Sequence, residues 1–133
     1  IGMYTSVETG DCSIRNAFAA NDAVSFGSII NAYTQPFLLL YNHRKDRGYR
    51  MEAFAKAIRQ SAAKPVCIGV IGEHKKACAR YMQRTTGIRA QAVERPKEWI
   101  QAQNVRHVLC AGNIKGEGRQ FLEEMIEEAR QNV

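Results

Sequence analysis

The sequence lacks the long apolar run that a membrane-spanning helix requires. Apolar residues make up 45% of its 133 residues, but the apolar run from Phe37 to Tyr41 is soon interrupted by His43 and Arg44, far short of the roughly 20 residues that cross a bilayer. A signal pattern of basic, apolar and small residues is also absent. The chain opens with Ile1 rather than a methionine, from which we expect a fragment or processed piece of a longer protein.

The four cysteines and three histidines lack the spacings of metal and redox motifs. No CxxC pair occurs, and the histidines form neither HxxxH nor HExxH. Cys67 and Cys110 lie inside apolar runs that are typical of buried strands. We therefore predict reduced core cysteines, a reducing cytoplasm and no metal site.

Basic residues outnumber acidic residues, 19 to 13. The formal net charge is +6 and the sequence pI is near 9.4. This favours anionic partners, a class that includes nucleic acid, nucleotides, anionic lipid and polycarboxylates, but it does not choose among them. The length is that of one ordinary domain, so we predict a single domain over residues 1–133.

Apolar strand-like runs alternate with helical patterns along the chain, which is typical of βαβ units. Two of the runs are continuously apolar, as expected when helices cover both faces of a strand. The predicted fold class is therefore α/β, with a Rossmann-like, mainly parallel sheet of five or six strands and helices on both faces. The predicted strands are Ser13 to Phe18, Pro36 to Asn42, Pro65 to Ile71, Ile88 to Val93 and Arg106 to Ala111. The predicted helices follow Asn21-Asp22 through Ile29 and cover Tyr49 to Gln60, Glu73 to Arg84, Pro96 to Gln103 and Gly118 to Gln131.

Three predicted strand ends carry polar or glycine-rich segments. In open parallel sheets, ligands bind outside the carboxyl ends of the strands, so we expect the three segments to share one edge. Arginines in such a place suit a carboxylate or a phosphate, because the planar guanidinium binds either one with two hydrogen bonds. Glycines permit close backbone approach to an anion. The segments run from Asn16 to Asp22, from Asn42 to Arg50 and from Ala111 to Gly118.

Each segment also has a purely structural interpretation. Asn21-Asp22 is a good N-cap, and the basic residues can form a solvated face in which Asp46 orients Arg44 or Arg47. The glycine turn matches neither GxGxxG nor GxxxxGK[ST], so neither a dinucleotide loop nor an ATP phosphate loop is indicated there.

Taken in order, the three segments resemble the C-terminal domain of the ligase subunit of poly-gamma-glutamate synthase, a relative of the Mur ligases. The first is similar to the family pattern N-x-F-A-A-N-D-x-x-S, the second to N-x-R-x-D-R-x-x-R and the third to G-N-I-x-G. The resemblance spans about Ser13 to the C-terminus. A more distant similarity links the first segment to the D-Y-A-H-x-P segment of Mur ligases and folylpolyglutamate synthases. Because Ala17, Ala20 and Asp22 replace the Asp, His and Pro of that pattern, the roles of those residues do not transfer.

The resemblance implies a domain of the Mur ligase C-terminal type at the end of a longer ATP-dependent amide ligase. In the implied reaction, ATP with Mg²⁺ phosphorylates a carboxylate and the amine of glutamate displaces the phosphate. The implied partners are glutamate, poly-gamma-glutamate, an upstream ATP-binding domain and membrane-bound synthase subunits. The implied location is the cytoplasm at the inner face of the cell membrane, and the implied process is capsule synthesis. No catalytic residue is assigned. The predicted substrate- or nucleotide-binding residues are Asn16, Asn21, Asp22, Asn42, Arg44, Asp46, Arg47, Arg50, Gly112, Asn113, Lys115 and Gly116.

One departure limits this interpretation. The family carries its ATP phosphate loop in the upstream domain, and no such loop occurs in these 133 residues. We therefore expect the isolated chain to be inactive. Two alternatives remain: a non-enzymatic module of Rossmann-like fold that binds anions or nucleic acid, and a free-standing nucleotide-binding domain. The few aromatic residues near the arginines argue against nucleic acid, and the missing phosphate loops argue against a free-standing nucleotide site.

Overall fold

The computed structural model describes residues 6–18 and 22–131. Within these ranges, strands and helices alternate after an initial pair of strands. The strands are β1 (Ser6–Glu8), β2 (Ser13–Asn16), β3 (Phe37–His43), β4 (Ile68–Gly72), β5 (Ala90–Ala92) and β6 (His107–Gly112). The helices are α1 (Ala23–Asn31), α2 (Gly48–Gln60), α3 (Lys75–Thr86), α4 (Pro96–Gln103) and α5 (Glu117–Gln131).

The six strands form one sheet in the order β1-β2-β6-β3-β4-β5. Only β1 runs antiparallel to its neighbour, and every other pair is parallel. Strand β6 lies between β2 and β3, although it is the last strand in the sequence. The carboxyl ends of β2, β6 and β3 are therefore neighbours at one edge.

The helices cover both faces of the sheet, and β3 shows why. All seven of its residues are buried, and alternate side chains point to opposite faces. Phe37, Leu39 and Tyr41 pack with α1, α2 and α3. Leu38 and Leu40 pack with α4 and α5. The mainly parallel α/β sheet predicted from the sequence is confirmed.

Each helix buries one stripe of side chains at the expected spacing. In α2 the buried residues are Phe54, Ala55 and Ile58, and the Phe54 ring stacks on Phe26 of α1 with ring centroids 4.6 Å apart. In α4, Trp99 lies against Gly69 of β4, where an added Cβ would come within 2.8 Å of the indole ring. The absence of a side chain at Gly69 thus lets α4 approach the sheet.

The prediction that the cysteines lie in the core is confirmed. All four cysteines are buried and free. Burial raises the pKa of the Cys78 thiol to about 12 and also raises the pKa of Cys110, so these thiols are protonated and unreactive at neutral pH.

Strand boundaries differ from the sequence prediction by up to three residues. The predicted strand Pro65 to Ile71 begins its parallel register with β3 only at Ile68, although the Val66 amide already donates to the Phe37 carbonyl at 2.8 Å. Helix α3 begins two residues after the predicted Glu73, since His74 adopts a left-handed conformation with φ 51°. Strand β1 was not predicted.

Candidate functional site at the carboxyl edge of the sheet

Asn42 is the residue through which two of the predicted segments meet. It lies near the end of β3, opposite Gly112 of β6, and only 2% of its surface is exposed. Its side-chain Nδ2 donates to the backbone carbonyls of Asn113 and Lys115, the latter at 2.8 Å. The Asn113 amide donates back to the Asn42 carbonyl at 2.9 Å. Asn42 therefore fixes the loop that follows β6 onto the end of β3.

Glycines make room for this arrangement. Gly112 has φ 94°, and an added Cβ there would collide with the backbone of Asn42. At Gly118, in the first turn of α5, an added Cβ would lie 2.6 Å from Asn42 Nδ2 and 2.8 Å from the Asn113 carbonyl oxygen. The glycine-rich turn thus serves close packing around Asn42. Its exposed tip is Lys115-Gly116, and the Lys115 amide donates to Asn113 Oδ1 at 2.8 Å.

The arginine segment forms a short 3-10 turn over Lys45–Arg47 before α2 begins at Gly48. Arg44 Nη2 is paired with Asp46 Oδ2 at 3.1 Å, so Asp46 orients Arg44. Arg47 is partly buried, and its Nε is buried without a hydrogen-bond partner among the described residues. Arg50 lies in the first turn of α2. The turn brings Arg44 beside the glycine loop.

Asn16 and Asp22 both have local partners. Asn16 is buried at the end of β2, and its Oδ1 accepts a hydrogen bond from the Phe18 amide at 3.1 Å. Asp22 is the N-cap of α1 and accepts from the Ser25 amide at 2.8 Å and the Ser25 hydroxyl at 2.9 Å. These two bonds from Ser25 lower the pKa of Asp22. Asn21 lies outside the described residues.

A cleft of about 440 Å³ opens at this edge, with a polar and charged lining. Four of the predicted residues line it, namely Asn42, Arg44, Lys115 and Gly116. Gly112 and Asn113 pack against Asn42, which lines it, while Asn16, Asp22, Asp46, Arg47 and Arg50 are not part of the lining. The sequence prediction missed the other residues of the lining, which are His43, Gly72, Glu73, Glu117 and Gln120.

His43 and Glu73 tie the end of β3 to the end of β4. His43 Nδ1 lies 2.8 Å from the Glu73 carbonyl oxygen, which only accepts, so Nδ1 carries the proton of this bond. The Glu73 amide donates to the His43 carbonyl at 2.9 Å, and the Lys45 amide donates to Glu73 Oε1 at 3.1 Å. His43 belongs to the second predicted segment, so its place in the sequence was the available signal. Glu73 directly follows β4, and that position was its signal.

Lys75 connects Glu117, a residue of the cleft lining, with the segment that precedes α4. Its Nζ lies 3.1 Å from Glu117 Oε1, 3.3 Å from Glu94 Oε2 and 3.5 Å from the Val93 carbonyl oxygen. Burial acts to lower the pKa of Lys75, but the hydrogen bonds and charges of Glu117 and Glu94 together raise it. Lys75 therefore stays charged and connects the starts of α3 and α5 with the loop that precedes α4.

The cleft thus combines two cationic side chains, Arg44 and Lys115, with two carboxylates, Glu73 and Glu117. A second cleft of about 420 Å³ lies at the opposite edge, where Cys12 precedes β2 and Arg106 precedes β6. It contains no predicted site residue. We place the candidate site at the carboxyl edge because ligands of open parallel sheets bind there.

Two further findings concern the described ranges alone. No group of three or more His, Cys, Asp or Glu residues within 6–18 and 22–131 is arranged to hold a metal ion. In the same ranges, no helix has both the length and the apolar composition needed to cross a membrane.

Three solved structures with a similar fold are ligases or a domain of a putative ligase. The folylpolyglutamate synthase of Thermotoga maritima superposes with a TM-score of 0.70 at 15% identity, over 98% of this chain and 32% of that one. The MurF ligase of Thermotoga maritima, in complex with ADP, gives 0.58 at 9% identity, over 98% of this chain and 31% of that one. This chain thus spans about a third of the length of both enzymes, and at such identities the likeness shows the fold alone.

A third similar structure is itself a domain. It comes from a putative UDP-N-acetylmuramate:L-alanyl-gamma-D-glutamyl-medo-diaminopimelate ligase of Haemophilus ducreyi, with a TM-score of 0.56 and 12% identity over 92% of this chain and 98% of that one. The fold is therefore of the Mur ligase C-terminal-domain type, as the sequence predicted.

Sequence comparison identifies the family more narrowly. No curated protein sequence matches the chain. The sequence pattern of the family described as "Poly-gamma-glutamate synthase CapB C-terminal domain" matches residues 4–128, which is nearly the whole chain. The chain belongs to the poly-gamma-glutamate synthase CapB C-terminal domain family.

Proposed function

We propose that this chain is the substrate-binding C-terminal domain of an ATP-dependent amide ligase that joins glutamate through its gamma-carboxyl. The observation that carries the proposal is the lining of the carboxyl-edge cleft, which includes two cationic side chains and two carboxylates. Free glutamate presents two carboxylates and one ammonium group. The charges of the cleft are complementary to those of this amino acid.

Arg44 and Lys115 are the residues that we assign to the carboxylates of the substrate. Arg44 is held by Asp46, which limits its rotamers and leaves further N–H donors of the guanidinium for a ligand. Lys115 lies at the exposed tip of the glycine loop, whose backbone is fixed by Asn42. The cleft therefore offers the oriented guanidinium of Arg44, which can form two hydrogen bonds, and the mobile ammonium group of Lys115.

Glu73 and Glu117 are the residues that we assign to the ammonium group. Each has one carboxylate oxygen engaged, by the Lys45 amide and by Lys75 respectively, and a carboxylate has about four acceptor positions. Both retain capacity for a substrate N–H donor. Holding the amine at a fixed place beside an activated carboxylate contributes to catalysis by proximity and orientation.

Neither the sequence nor the described residues indicate a site for ATP phosphates or Mg²⁺. Its sequence has no phosphate loop, and the described residues include no metal-ligand cluster. We therefore assign ATP and Mg²⁺, and with them the phosphorylation of the acceptor carboxylate, to an upstream domain of the same ligase. Family membership supports this division, as does the share of length that the chain covers in its structural relatives. Membrane-bound synthase subunits and capsule synthesis belong to the same proposal.

The test is glutamate incorporation by the ligase in which this chain is joined to its upstream part. Replacing Arg44 by Ala removes a charged hydrogen-bond donor from a partly exposed site, so we expect kcat/KM for glutamate to fall by about ten- to a hundredfold. Arg44→Lys keeps the charge but not the fork, and it should restore activity only in part. Arg130 is an exposed arginine in the last turn of α5. Arg130→Ala is therefore the matched control, and it should change incorporation by less than about twofold.

Arg47 tests the wider site. Its buried Nε has no partner among the described residues, which leaves a hydrogen bond for a ligand or a neighbouring domain to accept. We expect Arg47→Ala to reduce glutamate incorporation while the circular dichroism spectrum shows that the fold is retained. Normal incorporation by folded Arg44→Ala and Arg47→Ala variants would contradict the assignment of this edge to the substrate.

A further inference from the structure

Positive charge is concentrated on two neighbouring helices. Helices α2 and α3 together carry seven Lys or Arg and one Glu, and they pack side by side on the same face of the sheet. Helix α5, on the opposite face, carries five Glu and two Arg. The chain is therefore basic on one face and acidic on the other.

Five of these cations form what we call the basic face: Lys56, Arg59, Lys76, Arg80 and Arg84. All five are exposed, and within the described ranges their side chains make no hydrogen bond or ion pair. Two other lysines are paired with carboxylates, Lys75 with Glu117 and Lys97 with Glu128. The basic face thus presents cations that are available to an external anion.

The arrangement on α3 is linear. Lys76, Arg80 and Arg84 follow one another four residues apart, so they lie along one side of the helix at intervals of roughly 6 Å. Like charges at this spacing disfavour a helix in isolation. A bound polyanion with carboxylates repeated along its length would relieve this repulsion at each step.

The basic face begins beside the candidate site. Gly72 and Glu73 line the cleft, and α3 starts at Lys75 and runs away from that edge. Between α2 and α3 lies a groove of about 440 Å³ whose lining includes Lys56, Arg59 and Tyr81. A polymer that leaves the cleft therefore meets the first cation of the row within one turn of helix.

We propose that the basic face binds the polycarboxylate chain that the ligase extends, and guides it away from the carboxyl-edge cleft. This rests on the proposed function. A polycarboxylate is the anion that the proposed function supplies, and Tyr81, the one aromatic residue in the groove lining, is partly buried. Tyr49 of α2 is 64% exposed, so a comparison with single-stranded DNA tests whether stacking on an exposed ring contributes to binding. The acidic α5 repels the same polymer from the opposite face.

The first experiment measures binding to the 133-residue chain by fluorescence anisotropy of end-labelled poly-gamma-glutamate at low salt, without ATP. The test variant is Arg80→Gln/Arg84→Gln. The matched control is Arg119→Gln/Arg130→Gln, which removes the same charge from exposed positions of α5. We expect affinity to fall by about tenfold in the test variant and by less than about threefold in the control, with all binding weakened by added salt.

Several outcomes would overturn the proposal. An equal fall in both variants would show an effect of net charge alone, and absence of binding by the unaltered chain would remove the surface altogether. Tighter binding of single-stranded DNA of matched charge would identify a nucleic-acid surface instead.

The second experiment uses the joined ligase. Arg80→Gln/Arg84→Gln should leave the initial rate with a short acceptor within about twofold and shorten the products, because the growing chain is released earlier. Products of normal length would contradict the proposal. If the chain does not bind the polymer while glutamate incorporation by the joined ligase still depends on Arg44, only the assignment of the basic face is wrong. If the chain binds the polymer but the joined ligase incorporates no glutamate, the proposed function is wrong.

Discussion

At the scale of single residues, the candidate site depends on an uncharged side chain as much as on its arginines. Asn42 is buried, and its Nδ2 donates to two carbonyls that follow it by 71 and 73 residues in the chain. The sequence marked Asn42 because it ends a buried strand. Its partners could not be predicted, because they depend on β3 lying next to β6 in the sheet, and no local pattern of residues encodes that neighbour.

We predict that Asn42→Ala destabilises the chain by about 1–3 kcal/mol, because the carbonyls of Asn113 and Lys115 lose a donor at partly buried positions. The measurement is urea unfolding followed by circular dichroism. Asn31→Ala is the control: Asn31 accepts a hydrogen bond from the Ala62 amide at 2.8 Å in an exposed position, and its loss should change stability by less than about 1 kcal/mol. Equal effects of the two substitutions would show that Asn42 does not clamp the loop.

At the scale of elements, sequence periodicity predicted most of the architecture. The five predicted strands and five predicted helices are all present, with boundaries displaced by a few residues. Strand β1 escaped prediction because it has three residues, of which only Val7 is buried. His74, the N-cap of α3, was not predicted, because a left-handed histidine has no reliable signature in the sequence. Periodicity reports which residues are buried, whereas edges and caps depend on tertiary neighbours.

The first turn of α5 provides the sharpest test of packing at this edge. Ala is a better helix former than Gly by about 1 kcal/mol, yet at Gly118 the added methyl would lie 2.8 Å from a backbone oxygen, that of Asn113. We predict a net destabilisation of about 1–3 kcal/mol for Gly118→Ala, because a backbone atom yields less readily than a side chain.

Gly27→Ala in α1 is the matched control for this comparison. An added Cβ at Gly27 meets no atom within 4 Å, so this substitution should stabilise the chain by about 0.5–1 kcal/mol. Thermal or urea unfolding of both variants gives the comparison. Stabilisation by Gly118→Ala would mean that the loop and Asn42 move apart at little cost.

At the scale of the whole molecule, the two faces and two edges of the sheet have different surfaces. The carboxyl edge carries the mixed-charge cleft, α2 and α3 carry most of the excess positive charge, and α5 is acidic. Net charge in the sequence indicated an anionic partner but not its location. The segregation follows from which helices the chain order places on each face, and it becomes visible only in the folded chain.

The last prediction concerns the chain as a unit. Its core is continuous on both faces of the sheet, so we expect the 133 residues to fold by themselves, while the missing phosphate loop leaves no means of positioning the transferred phosphoryl group. The isolated chain should therefore show near-UV circular dichroism of a packed protein and no phosphate release above background with ATP, Mg²⁺ and glutamate. Addition of the upstream part as a separate polypeptide should restore glutamate-dependent phosphate release, and Arg44→Ala in this chain should lower it again. Robust turnover by the pure chain would reveal a nucleotide site within these residues and would overturn the division of labour between the two parts.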